Sequence, residues 1–160
     1  MPELLRPWLS RVPTPEAFVL LNQLGEVSRR VSAAYGSFLR PHGIDFSEYV
    51  LLWAIRLHEP KLPAMSELRA RVVMSSGGVA LAVNRLERKR LVRRKTSDHD
   101  GRAVLVQLTA KGRRLIDQLM AADLERHQAL VEGLAPPQRT EVLDGLAEIV
   151  ERFRDTPEWG

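Results

Sequence analysis

At 160 residues with 44% apolar side chains, the chain has the length of one ordinary domain, or of one domain with dimerising arms. Cysteine is absent, which excludes disulfides, thiolate metal sites and cysteine redox sensing. No apolar run reaches the ~18 residues of a membrane span, and MPELLRPWLS lacks a basic stretch leading into an apolar one, so a cytoplasmic protein is expected. The net charge of +4 is unevenly spread. Residues 61–114 hold 14 Lys and Arg against Glu67, Glu87, Asp98 and Asp100, residues 1–60 balance, and residues 115–160 hold 4 Arg against 10 acidic side chains. A basic middle between neutral and acidic flanks is the footprint of a polyanion partner; the plain alternative is a solvated charged face.

Met1 to Val12, with Trp8 among prolines, reads as an irregular arm. Thr14-Pro15-Glu16 is a helix start: a hydroxyl cap, proline at the first position, then a carboxylate at the positive end of the dipole. Leu20, Leu24, Val27, Val31, Ala34, Tyr35 and Phe38 carry one apolar stripe to about Leu39, where Pro41-His42-Gly43 breaks it. Asp45 and Glu48 have the spacing of a capping box. The helix they open, Phe46 to His58, is apolar nearly all round and is expected to be buried on several sides. Glu59 to Pro63 is a break with room for a very short strand. A short helix follows at Ser66 to Arg71, with Ala64 a poor cap for it, and Val72-Val73-Met74 makes a tight apolar turn.

Ser75 and Ser76 then cap a helix whose Val79, Val83 and Leu86 recur at i, i+4 and i+7. It ends in the basic run Arg88-Lys89-Arg90. Leu91 to Lys95 and Arg102 to Leu108 read as two strands joined by the polar loop Thr96 to Gly101. A long helix from Thr109 to about Leu134 stops at Ala135-Pro136-Pro137. A last helix carries Val142, Leu143, Leu146, Ile149, Val150 and Phe153.

A helix followed by a basic two-stranded ribbon is the reading half of a winged helix-turn-helix. Such a helix fits the major groove, and the ribbon lies along the backbone or enters the minor groove. The expected fold is mainly α with a small two- to three-stranded antiparallel wing and with dimerisation helices at both ends. Residues 1–44 form an arm and dimerisation helix, 45–109 the winged DNA-binding domain, and 110–160 the C-terminal dimerisation helices. The terminal helices carry more apolar stripe than a small domain needs, which a homodimer on a pseudopalindromic site would use.

At 100° steps, Gly77, Leu81, Asn84, Arg85 and Arg88 oppose the core face, with Ser76 at the open first turn. Ser75, Ser76 and the N–H groups of Gly77 and Gly78 suit a phosphate, although close helix packing explains the two glycines equally well. Asn84 and Arg85 suit base edges, and Ala80 and Leu81 suit thymine methyls. Arg88, Lys89, Arg93, Arg94 and Lys95 suit phosphates. Arg102 suits the minor groove, with Asp98 or Asp100 orienting its guanidinium.

The segments Ser66-Glu67-Leu68, Ser75-Ser76-Gly77-Gly78-Val79, Asn84-Arg85-Leu86-Glu87 and Leu91-Val92-Arg93-Arg94 resemble the MarR family of bacterial transcription regulators. So does Asp100-Gly101-Arg102 leading into Ala103 to Thr109, the strongest of the pieces. The resemblance implies a homodimer built from the terminal helices. It also implies repression of nearby genes, relieved by a small, often aromatic-acid ligand. Two features depart from the family pattern: Ala80 and Leu81 stand where a Thr-Arg pair is common, and the cysteine of the oxidation-sensing branch is missing. Phe38, His42, Phe46, Tyr49 and Trp53, with Trp8, are the candidates for a ligand pocket, and Arg40 or Arg56 for its carboxylate. Aromatics at helical spacing are also ordinary core. No cofactor is expected, and His42, His58, His99 and His127 lack metal-ligand spacing. No catalytic cluster or phosphate-cradling loop points to an enzyme. The alternative function is a winged architectural or protein-interaction module without ligand response.

Overall fold

The structure is a computed structural model, and it describes residues 15–72, 74–96 and 103–155. Among the described residues six helices and two strands follow one another in chain order: α1 (Pro15–Leu39), α2 (Phe46–His58), α3 (Met65–Arg71), α4 (Ser76–Arg88), β1 (Val92–Thr96), β2 (Val104–Leu108), α5 (Ala110–Val131) and α6 (Pro136–Asp155). A single 3₁₀ turn, Arg40–His42, closes α1 and ends on Gly43 in the left-handed region, at φ 68°. The described residues fall into two compact units that divide between Arg113 and Arg114.

In the first unit the local signals are met. Asp45 and Glu48 form the full capping box: the Asp45 carboxylate accepts the Glu48 N–H at 2.9 Å, and Glu48 Oε2 accepts the Asp45 N–H at 2.8 Å. Ser75 caps α4 by accepting the Gly78 N–H at 3.1 Å. Ala64 has no capping side chain, so only the reciprocal half of a capping box is made, Glu67 Oε2 accepting the Ala64 N–H at 2.6 Å. The unit is held together by Leu39, Ile44, Leu51, Leu52, Ile55, Leu68, Val79, Ala82, Val83, Leu86, Leu91, Val92, Val106 and Leu108, all buried. α4 packs on α2 and α3, so the turn between α3 and α4 is clamped from both sides.

α2 is buried on several sides, as its composition implied, but not all round. It buries Tyr49, Leu51, Leu52, Ala54 and Ile55, yet Phe46, Trp53 and Leu57 stand exposed. These three share one stripe at i, i+7 and i+11. High apolar content does not fix how many sides of a helix are covered; that depends on its neighbours.

The wing is one antiparallel pair, with Val92 opposite Leu108, Arg94 opposite Val106 and Thr96 opposite Val104. The very short strand expected near Pro63 is reduced to a single bridge, Ala64 with Leu105, plus the Val106 N–H donating to Pro63 O at 2.9 Å. The prolines at 60 and 63 leave no room for a longer ladder. At the foot of the wing, Gly112 is required: a Cβ there would lie 2.0 Å from Leu91 O. Thr109 fastens the same corner, its hydroxyl donating to Arg90 O at 2.8 Å and accepting the Gly112 N–H at 3.0 Å. The proposed arm, Trp8, Val73 and the wing tip from residue 97 to 102 lie outside the described residues.

In the second unit, the restart at Pro136 is capped by Gln138, whose Oε1 accepts the Ala135 N–H at 2.9 Å. On α6, Val142, Leu143, Leu146, Val150 and Phe153 are all exposed. On α1 in the first unit, Phe18, Leu20, Leu21, Val27 and Val31 are exposed too. Among the described residues, no helix is long and apolar enough to cross a membrane.

Candidate nucleic-acid interface

The site is α4 and the ribbon that follows it. Amphipathic spacing divides α4 cleanly: Val79, Ala82, Val83 and Leu86 are sealed, while Ser76, Gly77, Asn84 and Arg88 are exposed. Leu81 is 53% exposed, an apolar side chain on an otherwise polar face. Ala80 is half-buried.

The N-terminal end of α4 is open. The first turn of a helix leaves N–H groups without intrahelical acceptors, and the dipole adds positive potential there. Only the Gly78 N–H is taken up by the Ser75 cap among the described side chains. A Cβ at Gly77 would meet nothing within 4 Å, so packing within the chain does not demand glycine at this position. Its backbone is therefore bare to a partner.

The C-terminal end is tied down. The Arg90 N–H donates to Glu87 O and the Leu91 N–H to Leu86 O, both at 2.9 Å, the paired bonds of a Schellman cap. Arg90 occupies the left-handed position, at φ 59°, where glycine is usual. Lys89 turns inward: its Nζ lies 2.5 and 2.6 Å from the two oxygens of Glu48, which is only 1% exposed. Arg85 follows it, with Nη2 at 3.3 Å from Asp45 Oδ2 and 3.4 Å from Ser47 Oγ. A buried carboxylate must be paired, and the cations of α4 pair it. Burial pushes the Asp45 carboxyl upward. The Ser47 hydroxyl, the Glu48 N–H and the charges of Arg85 and Lys89 outweigh that and hold it below the ordinary aspartate value.

These positions change the picture drawn from sequence. Arg85 and Lys89, expected at bases and phosphates, are engaged by the N-terminal turn of α2. Arg94, expected at a phosphate, bridges Glu87 and Asn84 on α4, with Nη1 2.5 Å from Glu87 Oε2 and Nη2 2.6 Å from Asn84 Oδ1. Arg93 Nε donates to Gln107 Oε1 across the ribbon at 3.0 Å. Arg113 pairs with Glu59 at 2.5 Å. Arg88 remains on the open face. Asp100 and Arg102 lie outside the described residues.

Of the ligand-pocket candidates, the structure brings Phe46 and Tyr49 together around Tyr35 of α1, with ring centroids at 4.7 and 5.9 Å from it. Phe38 meets His42 edge-on at 6.4 Å. Tyr35 was not among the candidates, although it lies on the same α1 stripe as Phe38 and three residues from it. Trp53 is exposed on α2, and Arg56 lies 3.3 Å from Glu59.

Comparison with known proteins places these features in context. Residues 42–103 match the family model described as "MarR family". The HTH-type transcriptional regulator MhqR of Bacillus subtilis is 23% identical over 145 residues, 89% of this chain and 99% of that protein. The transcriptional regulator BldR of Sulfolobus solfataricus superposes with a TM-score of 0.70 at 25% identity, over 88% of this chain and 99% of that one. A mutant MarR from E. coli, solved in complex with operator DNA, superposes with a TM-score of 0.74 at 22% identity, over 86% of this chain and 98% of that one.

Proposed function

Because the chain belongs to the MarR family of winged helix-turn-helix regulators, we propose that it binds a pseudopalindromic DNA operator as a homodimer and represses transcription from it. α4 enters the major groove, and the wing lies on the flanking backbone. Ser75, Ser76 and Gly77 take a phosphate at the open end of α4. Asn84 reads a base edge, Leu81 and Ala80 meet thymine methyls, and Arg88 meets phosphate. Asp100 and Arg102 act at the wing tip. Residues 45–109 make up the reading domain. Residues 1–44 and 110–160 supply the dimer, which covers the apolar stripes exposed on α1 and α6.

The observation that carries this reading is the face of α4. A helix with its apolar side sealed shows a bare glycine, an exposed leucine, an asparagine and an arginine in line along the other. Solvent alone gives no reason for Leu81 there.

Release from DNA is assigned to a small aromatic acid at Tyr35, Phe38, His42, Phe46, Tyr49 and Trp53, with Arg56 for its carboxylate. The clustered rings of Tyr35, Phe46 and Tyr49 support this. Leu81 beside Ala80 also favours a second reading, an architectural module, since neither side chain hydrogen-bonds to a base.

A selection of bound duplexes from a random library separates the two readings. The regulator recovers a pseudopalindrome and loses affinity steeply with salt; the module recovers no consensus. Arg88→Ala then weakens binding to all sequences alike, lowering the salt slope by about one. Asn84→Ala relaxes one base-pair position, worth about 1–3 kcal/mol. Aromatic acids that raise the melting temperature of the protein and release DNA support the pocket; no shift with any of them removes it.

A further inference from the structure

Arg94 on β1 divides its donors between two residues one helical turn apart on α4. Its backbone N–H donates to Glu87 Oε1 at 3.3 Å and its Nη1 to Glu87 Oε2 at 2.5 Å. Its Nη2 donates to Asn84 Oδ1 at 2.6 Å. The Glu87 pair neutralises the guanidinium and anchors it from two directions, so the third bond to Asn84 is held in place by the wing.

A guanidinium has only donors, so the amide atom turned toward it must be the oxygen. The Oδ1 side of the exposed Asn84 is thus held toward the wing, and Nδ2, a donor only, is the half of the amide that Arg94 does not engage. A free asparagine pairs with adenine through both atoms, accepting from N6 and donating to N7. Oδ1 keeps a second lone pair, but its bond to the anchored guanidinium fixes the plane of the amide, and the adenine pair needs both amide atoms turned to the base edge together. Guanine, which shows N7 and O6 as adjacent acceptors, has no such conflict.

We infer that Arg94, anchored by Glu87, is a positioning residue that fixes the Asn84 amide with its oxygen on the wing and so turns its preference from adenine to guanine. This rests on the reading of α4 as the base-reading helix. It places a specificity determinant on the wing strand, at a residue that need not touch a base itself. Arg94 then contributes geometry more than charge, because Glu87 already balances it.

The test is base preference, read by selecting duplexes from a random library with the full chain, Arg94→Ala and Asn84→Asp. The relevant position is the one that loses preference in Asn84→Ala. The unaltered chain is expected to favour guanine there. Arg94→Ala frees Oδ1 and moves the preference to adenine by about tenfold, the scale of one bidentate pair. Asn84→Asp keeps one oxygen on Arg94 and turns the other outward as an acceptor, so the preference moves to a base with an outward amine, cytosine or adenine. If Arg94→Ala instead weakens every duplex alike and the salt slope falls by about one with the profile unchanged, Arg94 is a phosphate contact and the inference fails. Should Arg94→Ala not fold by circular dichroism, Asn84→Asp decides: an unchanged guanine preference overturns the inference. Absence of selective binding by the unaltered chain overturns the DNA-reading assignment and this one with it; selective binding with unmoved profiles overturns this one alone.

Discussion

The two ends of α4 are built from similar material and put to opposite uses. At its start, Ser75, Ser76 and Gly77 are exposed, with a single side-chain cap and open space above the glycine. At its finish, a Schellman cap, the Lys89–Glu48 pair and the Arg85–Asp45 pair fasten the helix to α2. The open end is free to meet a ligand because the closed end fixes the helix. A basic residue near a reading helix is therefore no guide by itself to what touches DNA. Lys89 is part of the scaffold, and Arg88, its neighbour in sequence, is on the open face.

The strongest challenge to this contrast is Lys89→Met. It strips the main cation from a carboxylate that is only 1% exposed. Breaking a buried pair from one side costs about 3–5 kcal/mol, and the partial exposure of Lys89 brings the expectation to the lower end, about 3 kcal/mol. Urea denaturation measures it. Adding Glu48→Gln to the same chain should recover much of the loss, since no unpaired charge is then buried. A loss under about 0.5 kcal/mol for the single variant, the scale of an ordinary surface change, would show the closed end to be decoration.

Ser75→Ala probes the other end and should cost less, about 1 kcal/mol, the usual worth of a hydroxyl cap. DNA binding should fall further than stability accounts for, because the hydroxyl is assigned to a phosphate as well. Equal losses in the two measurements would confine Ser75 to capping.

The smallest effect is in acid. The Asp45 carboxyl is held below its ordinary value in the folded chain. Its contribution is therefore present above the unfolded value and is lost as pH falls through the lower, folded one. Asp45→Asn should flatten the acid side of the stability curve below about pH 4, where free aspartate titrates, and leave the neutral region with a small constant loss. Melting temperatures from pH 2 to 7 would show it; two parallel curves would contradict it.

The elements were legible in the sequence because their signals are local. The Asp45–Glu48 box, the Ser75 cap, the Val79–Val83–Leu86 stripe and the proline stop before α6 each lie within a turn or two of the residues they govern. The open face of α4, Arg85 apart, was legible for the same reason. The charge footprint was not legible in full. Residues 61–114 look strongly basic when counted alone, yet Lys89, Arg85 and Arg113 find Glu48, Asp45 and Glu59, which stand earlier in the chain. Proximity in space, not in sequence, cancels those charges. Tyr35 was passed over as one more stripe residue because only the packing of α1 on α2 sets it between Phe46 and Tyr49.

What this sequence determined unaided is the order of helices and strands and which side of α4 is apolar. Periodicity and capping act over a few residues and need no partner to be read. What the tertiary structure alone decided is the assignment of individual cations, with Lys89 to a buried acid, Arg85 to Asp45 and Arg94 to an asparagine. A long charged side chain takes whichever opposite group the fold brings within reach, and that group can lie 41 residues away.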